Sequence, residues 1–581
     1  MSERPVSETG NLIRSGFLDI EKTKELLNSL KIAVSKDLLL DEFSQVANPD
    51  EALLLLVRIL EKNNKEFRKI IEDNSIRFRL LKVLGSSSGL GEFLINNPED
   101  ISVLAKETAI NLAFSKDDLT NKFKIALQDG RASLVREYKK FLLSLAARDL
   151  CSNWPLKEVA QELSDAADAI LESSLQKLLN ETDSNKFDLS VIAMGKAGGQ
   201  ELNYVSDVDV IFIAEPKNGV DEAEALQLAT KVCSNLMQFI STTNDGGAIW
   251  ELDAALRPEG KAGALVRTLE QHVSYYQKWA HTWEFQALLK ARFSAGSKEL
   301  ADKYLDEISK FVWMAASKEN FVEDVQKMRK KVEENVDNKV GERELKLAPG
   351  GLRDVEFAVQ LLQLVHGRSD VMVRSPNTLQ ALDQLAMWGY IGREDSATFT
   401  NAYTFLRTLE HRIQLQKLSR THILPKEDKE LRVLGRSLGL MQDSSQDLEK
   451  QWRKYKLEVR RIHEKLFYRP LLNAVARLDA GNARLTLSEA SSRLNALGYK
   501  DPESALRHIE SLITGVSRKA VIQKTLLPVL LSWFADGPDP DNALLSFRRL
   551  SDALGSTPWF LRLLRDESAA AELMAKLLSS S

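Results

Sequence analysis

Residues 194–213 decide the fold of this chain, and they read MGKAGGQELNYVSDVDVIFI. The last six of these residues are β-branched or aromatic except for one aspartate, which predicts a strand. Side chains two apart on a strand point to the same side, so Asp207 and Asp209 share a face. Two aligned carboxylates at the open end of a strand can hold divalent cations against phosphate oxygens. The stretch therefore predicts a metal-dependent site for nucleotidyl transfer.

A third carboxylate is expected from the next strand in the chain, residues 249–253, which ends in Asp253. Glu251 lies two residues earlier and shares its face, so it is a secondary candidate. The set Asp207, Asp209 and Asp253 is predicted to be catalytic and to bind Mg²⁺ or Mn²⁺. A single exposed aspartate is ordinarily a cap or a surface charge, but the combination with a double glycine and an apolar strand favours the metal site.

Glycines and cations near these carboxylates predict a phosphate or nucleotide site. Glycine turns let backbone N–H groups approach phosphate closely, and Arg and Lys side chains pair with its charge. The segment around Lys196 lacks the Ser or Thr and the spacer of a P-loop, so that reading fails. The predicted phosphate or nucleotide ligands are Lys196, Gly198, Gly199, Ser206, Arg257, Arg267, Lys290 and Arg292.

Each of these residues has a plainer alternative. Ser206 is equally well read as a cap beside the strand, and Arg257 as part of a solvated Gly/Pro-rich turn. The aromatic residues 275–283 are read as core more readily than as a cofactor pocket. Arg353 and Glu356 lie three apart at a helix start, where acidic residues ordinarily complement the helix dipole. They are secondary candidates, and their functional role is suggested mainly by the family resemblance given below.

Composition excludes several classes of protein. The chain has 581 residues, 44% of them apolar and 28% charged, and a net charge of −4, so a nucleic-acid partner is not expected. Its two cysteines, Cys151 and Cys233, cannot build a disulfide framework. No signal segment or apolar run of membrane-spanning length is visible, so a cytoplasmic protein without a membrane partner is expected.

The pattern of apolar residues predicts an α+β protein that is mostly α. Helical spacing covers residues 18–180 and returns from about 268, while residues 187–256 read as strand, glycine turn, strand, helix, strand. The predicted domains are a helical region at 1–135, a catalytic core at 136–310, a helical bundle at 311–475 and a final segment at 476–581. A weak internal repeat relates residues 50–54 to 541–545, with chance similarity as the alternative.

Five motifs together resemble one enzyme family. They are residues 195–203, Ser206 to Asp209, Asp253 with residues 256–260, residues 283–292 and residues 346–357. As a set they resemble the bifunctional glutamine synthetase adenylyltransferase/adenylyl-removing enzymes, from about residue 18 to the end. The resemblance implies a DNA polymerase β-like nucleotidyltransferase core with flanking helical bundles. That family normally has two cores, of which the first removes AMP from a tyrosine of glutamine synthetase by phosphorolysis and the second adds AMP from ATP.

The resemblance implies that this chain is the N-terminal, adenylyl-removing half of a longer enzyme, with residues 526–581 beginning the second half. Implied partners are glutamine synthetase, a PII-type signal protein, inorganic phosphate and ADP or ATP. The reverse reaction and a non-catalytic nucleotide- or PII-sensing module are the alternatives. One departure matters: Ala255 stands where many members carry Arg, so the phosphate contact made there is either absent or supplied by Arg257 or Arg267.

Overall fold

The computed structural model describes residues 7–476 except 31, 63, 153, 245, 318–320 and 335–340. Beyond residue 476 it describes 491, 494–495, 497–513, 523, 527, 530–531, 533–554, 557, 560 and 568–580. Most of the predicted final segment between residues 477 and 496 lies outside these residues. The chain divides into two compact units, Met1–Ala348 with Val359–Lys454 and Pro349–Ala358 with Tyr455–Ser581.

Helices make up most of the described chain, and short strands lie between residues 187 and 296. The first ten helices are α1 Glu8–Arg14, α2 Ile20–Ser29, α3 Lys36–Ser44, α4 Pro49–Glu61, α5 Lys65–Ile70, α6 Asn74–Leu84, α7 Ser88–Asn96, α8 Lys116–Gln128, α9 Arg131–Ser152 and α10 Leu156–Asn180. The segment that follows contains β1 Phe187–Ala193, α11 Gly195–Gly198, β2 Val208–Pro216, α12 Glu222–Ser241, β3 Leu252–Asp253, β4 Val266–Arg267, α13 Leu269–Lys278, α14 Thr282–Leu288 and β5 Arg292–Gly296.

The remaining helices are α15 Lys298–Met314, α16 Phe321–Glu334, α17 Leu352–His366, α18 Thr378–Met387, α19 Arg393–Lys417, α20 Asp428–Ser437, α21 Ser444–Ala476, α22 Pro502–Ile513, α23 Pro540–Leu554 and α24 Ser568–Ser579. Short 3₁₀ helices cover Pro98–Ala105, Glu107–Ala109, Ser184–Lys186, Gly260–Ala262, Ala315–Ser317, Gly341–Arg343 and Val371–Val373. The expected class, α+β and mostly α, is confirmed.

The five strands form one mixed sheet in the order β3-β2-β1-β5, and β4 also pairs with β2. β1 runs antiparallel to both β2 and β5, whereas β3 and β4 run parallel to β2. Helix α12 provides the crossover that a parallel β2–β3 pair requires. The middle of β1 and β2 is buried on both faces, which explains their nearly continuous apolar sequences.

The predicted order of strand, glycine turn, strand, helix and strand is confirmed, and β2 begins at the predicted Val208. Asp221 caps α12 by accepting a hydrogen bond from the Glu224 N–H, 3.1 Å away. The third predicted strand is shorter than expected, because only Leu252 and Asp253 pair with β2. Strands β4 and β5 were not predicted, since two to five residues beside aromatic helices give too little alternation to recognise.

The first helices and the sheet share one hydrophobic core. Its buried residues extend from Leu12 in α1 to Val266 in β4 and include Ala295 of β5 and Leu415 of α19. The predicted domain boundaries at 135, 310 and 475 fall inside α9, α15 and α21 respectively. The four-part domain division stays a prediction, which limited proteolysis would test.

The first helices and the helices after residue 490 share one arrangement, in which an aspartate at the start of a helix accepts hydrogen bonds from two backbone N–H groups. The carboxylate of Asp50, at the start of α4, accepts hydrogen bonds from the N–H groups of residues 18 and 19 at 3.0 and 3.1 Å. The carboxylate of Asp541, at the start of α23, accepts them from residues 500 and 501 at 2.6 and 3.2 Å. Gly16 and Gly498 precede these segments with φ of 94° and 95°. The shared geometry supports the repeat over chance similarity.

Within the described residues, no helix combines the length and apolar character that a membrane crossing requires.

Candidate active site

An acidic face lies where β2 and β3 begin to run side by side. Asp209 and Asp253 are register partners in this parallel pair, and Val208 pairs with Leu252. Val208 and Leu252 are 1% and 2% exposed, so they point into the core and the flanking residues point the other way. Residues 207, 209, 251 and 253 therefore present four carboxylates on one face; this set is called the acidic face below.

The glycine turn packs directly against the acidic face. Gly195 has φ of 55°, and a Cβ at this position would clash with Oδ2 of Asp209. The N–H of Met194 donates to the Asp209 carbonyl over 2.8 Å, which ties the turn to the start of β2. The position therefore requires glycine for two independent reasons, its backbone angle and the carboxylate beside it.

The two glycines predicted to approach phosphate have packing roles in this structure. The Gly198 N–H donates to the Met194 carbonyl at 2.9 Å, and the Gly199 N–H donates to the Gly195 carbonyl at 3.1 Å. A Cβ on Gly198 would overlap the carbonyl oxygen of Lys290. Close approach of one backbone to another thus accounts for the double glycine here.

Three of the predicted cations are engaged in ion pairs with buried carboxylates. Lys196 Nζ lies 3.0 Å from Oε1 of the fully buried Glu410. Lys290 pairs with Glu201, and Arg292 binds both oxygens of Asp168 at 2.7 and 3.1 Å. The structure does not bring Lys196, Lys290 and Arg292 together around an open phosphate site.

The ion pair of Lys196 is part of a buried charge cluster on α19. Burial opposes ionisation of Glu410, but Lys196 and a hydrogen bond from His422 hold the pKa of this carboxyl well below its usual range. The His422 Nδ1 lies 2.6 Å from Glu410 Oε1. Because Lys196 belongs to the glycine turn, this cluster fixes the turn against α19.

The Gly/Pro-rich loop after β3 carries the remaining predicted cations. Arg257 donates to three loop carbonyls, those of residues 254, 261 and 263, at 2.8 to 3.2 Å. Arg267 pairs with Glu259 and lies over the ring of Tyr275, 5.9 Å from its centroid. Lys261 is exposed. Arg257 thus orders the loop and Lys261 lies at its surface, whereas the Arg267 side chain in β4 is only 16% exposed.

Ser206 and the two secondary candidates complete the predicted set. Ser206 Oγ lies 3.3 Å from Oδ1 of Asp207, so it is a neighbour of the acidic face. Arg353 and Glu356 belong to the second compact unit, where Arg353 Nη1 lies 2.9 Å from Glu356 Oε2. The predicted i, i+3 pairing of these two residues is present.

Arg420 is a residue of this site that the sequence did not indicate. Its Nη2 lies 2.7 Å from Oδ2 of Asp207, and its Nη1 lies 3.7 Å from Oε2 of Glu251. It follows α19, 213 residues after Asp207 in the chain, and has no motif around it. Only the packing of α19 beside the sheet places this cation on the acidic face.

The acidic face fits a divalent metal in residue type and backbone placement. Carboxylate oxygens are the ligands that Mg²⁺ prefers, and adjacent register positions on parallel strands bring Asp209 and Asp253 together. The side chains are not gathered around one point: no group of three His, Cys, Asp or Glu within the described residues has metal-binding geometry. Asp207 is turned to Arg420, and Asp253 Oδ1 accepts a 2.7 Å hydrogen bond from the Ala255 N–H.

Two family models match parts of this chain. Residues 78–307, which include the whole sheet, match the family model of glutamate-ammonia ligase adenylyltransferase. Residues 297–467 match the model of GlnD PII-uridylyltransferase. Both models describe nucleotidyltransferases, so the expected similarity of this chain to such enzymes is confirmed.

Curated relatives resemble nearly the entire chain. The bifunctional glutamine synthetase adenylyltransferase/adenylyl-removing enzyme of Streptomyces avermitilis is 51% identical over 99% of this chain, and that of Streptomyces coelicolor is 50% identical over 98%. The enzyme of the same name from Leifsonia xyli is 43% identical over 98% of it. The chain spans 58%, 58% and 60% of the length of these three relatives.

Proposed function

We propose that this chain removes AMP from an adenylylated tyrosine of glutamine synthetase by phosphorolysis, and that it corresponds to the adenylyl-removing half of its relatives. The observation that carries the proposal is the acidic face with the glycine turn against it. The names of the relatives include both adenylyl transfer and adenylyl removal. The placement of removal in the first half comes from the family resemblance of the sequence.

The residues proposed to hold Mg²⁺ or Mn²⁺ are Asp207, Asp209 and Asp253, with Glu251 beside them. The chemistry that the bound metal supplies is neutralisation of charge on the phosphoryl oxygens. Asp209 is set in place by its backbone bond to Met194 and by Gly195 against its carboxylate. Asp253 and Asp207 approach from either side on the same face.

The reaction makes one bond and breaks one bond at the α-phosphorus. An oxygen of inorganic phosphate attacks this phosphorus, the bond to the tyrosine oxygen breaks, and the products are ADP and the free tyrosine, which takes up a proton. Phosphate is already anionic at neutral pH and the phenol leaves with a pKa of about 10, so no strong general base is needed. Catalysis then rests on charge and positioning.

The loop after β3 is the proposed site for the attacking phosphate. Ala255 supplies no cation, and the Arg257 guanidinium is occupied by loop carbonyls. Lys261 and Arg267 are therefore the proposed contacts, with Arg267 exchanging Glu259 for phosphate. Ser206 adds a hydroxyl donor next to Asp207. A loop with two compact cations suits a single phosphate better than a triphosphate chain.

The nature of the released nucleotide tests this proposal. The chain is incubated with adenylylated glutamine synthetase, Mg²⁺ and phosphate, and the nucleotides are separated by chromatography. We expect phosphate-dependent release of ADP and restored unmodified tyrosine. AMP as the product would mean hydrolysis, and incorporation of label from ATP into unmodified synthetase without ADP release would show the reverse direction. No nucleotide chemistry in any of these assays would favour a regulatory module, for which binding to a PII-type protein is the measurement.

A further inference from the structure

Arg420 neutralises the outer end of the acidic face. Its guanidinium lies between Asp207 and Glu251, the residues that immediately precede β2 and β3. Four carboxylates on one face repel one another, so a cation between two of them stabilises their position. Arg420 is therefore an internal counter-ion of the proposed metal site.

The backbone that carries Arg420 is held in place. Helix α19 ends at Lys417 and is capped by Leu418, whose φ is 47°. The segment after the cap is held in place by His422. The His422 ring binds Glu410 of α19, and its carbonyl accepts a 2.8 Å hydrogen bond from the Leu345 N–H. The Arg420 side chain is 44% exposed, so its guanidinium can swing into solvent while its Cα stays.

Arg420 and a metal ion would share the Asp207 carboxylate. Oδ2 of Asp207 accepts from Arg420, while its Oδ1 faces the Ser206 hydroxyl. A divalent ion bound through Asp207 would bring a second cation onto a carboxylate that already has one, and like charges a few ångströms apart repel. Each cation therefore weakens the binding of the other to Asp207.

We propose that Arg420 is a positioning residue that holds Asp207 before the metal binds and competes with the metal for that carboxylate. This inference rests on the proposed function, because it takes the acidic face to be the metal site. Its consequence is that the wild-type chain binds the metal more weakly than the carboxylates alone would allow. Removing Arg420 should tighten metal binding, the opposite of what the loss of a structural residue does.

The test is titration of the full chain with Mn²⁺ alone, measured by electron paramagnetic resonance of the free ion and by calorimetry. A partly exposed ion pair of this kind corresponds to about a two- to fivefold change in affinity, so the Kd for Mn²⁺ in Arg420→Gln should fall by that factor. Lys417→Gln is the matched control, since it removes the same charge from the exposed last residue of α19, and its Kd should equal that of the wild type.

The outcomes separate this inference from the proposed function. An unchanged or higher Kd in Arg420→Gln overturns the competition. An equal gain in Lys417→Gln also overturns it, because the effect would then be a general one of charge. Failure of both the wild type and Arg420→Gln to bind Mn²⁺ would remove the metal site itself and the inference with it. Circular dichroism of each variant confirms that the fold is kept.

Discussion

Replacing Asp209 by asparagine is expected to abolish most of the proposed activity without unfolding the chain. Within the acidic face, Asp209 has Gly195 packed against its Oδ2 and Asp253 as its register partner on the neighbouring strand. Asparagine has nearly the same shape, so the same pocket accepts it. The change removes one of the four negative charges of the acidic face.

The magnitude follows from the role of the charge. Loss of a preorganised electrostatic contact at a reacting centre costs about 10²–10³-fold in rate, or about 3–4 kcal/mol of transition-state stabilisation. We expect at least a 100-fold fall in phosphate-dependent ADP release from adenylylated glutamine synthetase, together with a higher Kd for Mn²⁺. The assay is chromatographic ADP release at saturating Mg²⁺, with thermal unfolding measured in parallel.

Asp188→Asn is the matched control. Asp188 is an exposed carboxylate on β1 whose register partner is Glu215, at the other end of the β1–β2 pair from Asp209. Its replacement should leave ADP release within a factor of two. Near-normal activity in Asp209→Asn, or an equal loss in Asp188→Asn, would refute the assignment of the acidic face as the reacting centre.

Three further predictions concern the turn and the buried charges. Gly195→Ala should lower the free energy of unfolding by about 1–3 kcal/mol and should also lower the rate of ADP release, because the new methyl group clashes with Asp209 and the φ of 55° strains a residue other than glycine. Wild-type values in urea unfolding and in activity would contradict this contact. Lys196→Ala should lower the free energy of unfolding by about 3 kcal/mol, because it leaves the buried Glu410 without its main counter-charge. Replacement of the exposed Lys261 by alanine should not change this free energy. Full stability of Lys196→Ala together with lost phosphate binding would instead favour the phosphate role predicted for Lys196. Burial, aided by the nearby Arg267, lowers the pKa of His272 from 6.5 to about 3 and keeps it neutral, so the unfolded chain takes up the proton first and the free energy of unfolding falls as the pH drops from 6.5 toward 3. Urea unfolding should show a loss of about 2 kcal/mol between pH 7 and pH 5 that is absent in His272→Phe. The same loss in that variant would show that His272 is not the cause.

Local pattern explains the parts of the fold that were predicted correctly. A strand has a side-chain period of 2 and a helix one of 3.6, and both periods are visible within a short stretch of sequence. The β-branched run of β2 and the spacing of apolar residues in α12 could therefore be recognised locally. Strands β4 and β5 were not predicted, because they are short and are stabilised by pairing with β2 and β1 respectively. Their pairing partners are distant in the chain, so no local window contains the signal.

The sequence by itself determined the acidic face, since the spacing of Asp207 and Asp209 on an apolar strand dictates that both carboxylates point one way. It also marked the glycine turn, although the reason for Gly198 turned out to be the backbone of Lys290. The similarity to adenylyltransferases followed from the same short motifs.

Only the tertiary structure decided which charges serve the site. Lys196 and Glu410 are 214 residues apart, and Arg420 and Asp207 are 213 apart. A charged side chain looks alike in sequence whether it pairs inside the protein or meets a ligand, because its role depends on which opposite charge the fold brings within reach. The packing of α19 beside the sheet pairs Lys196 with a buried carboxylate and places Arg420 on the acidic face.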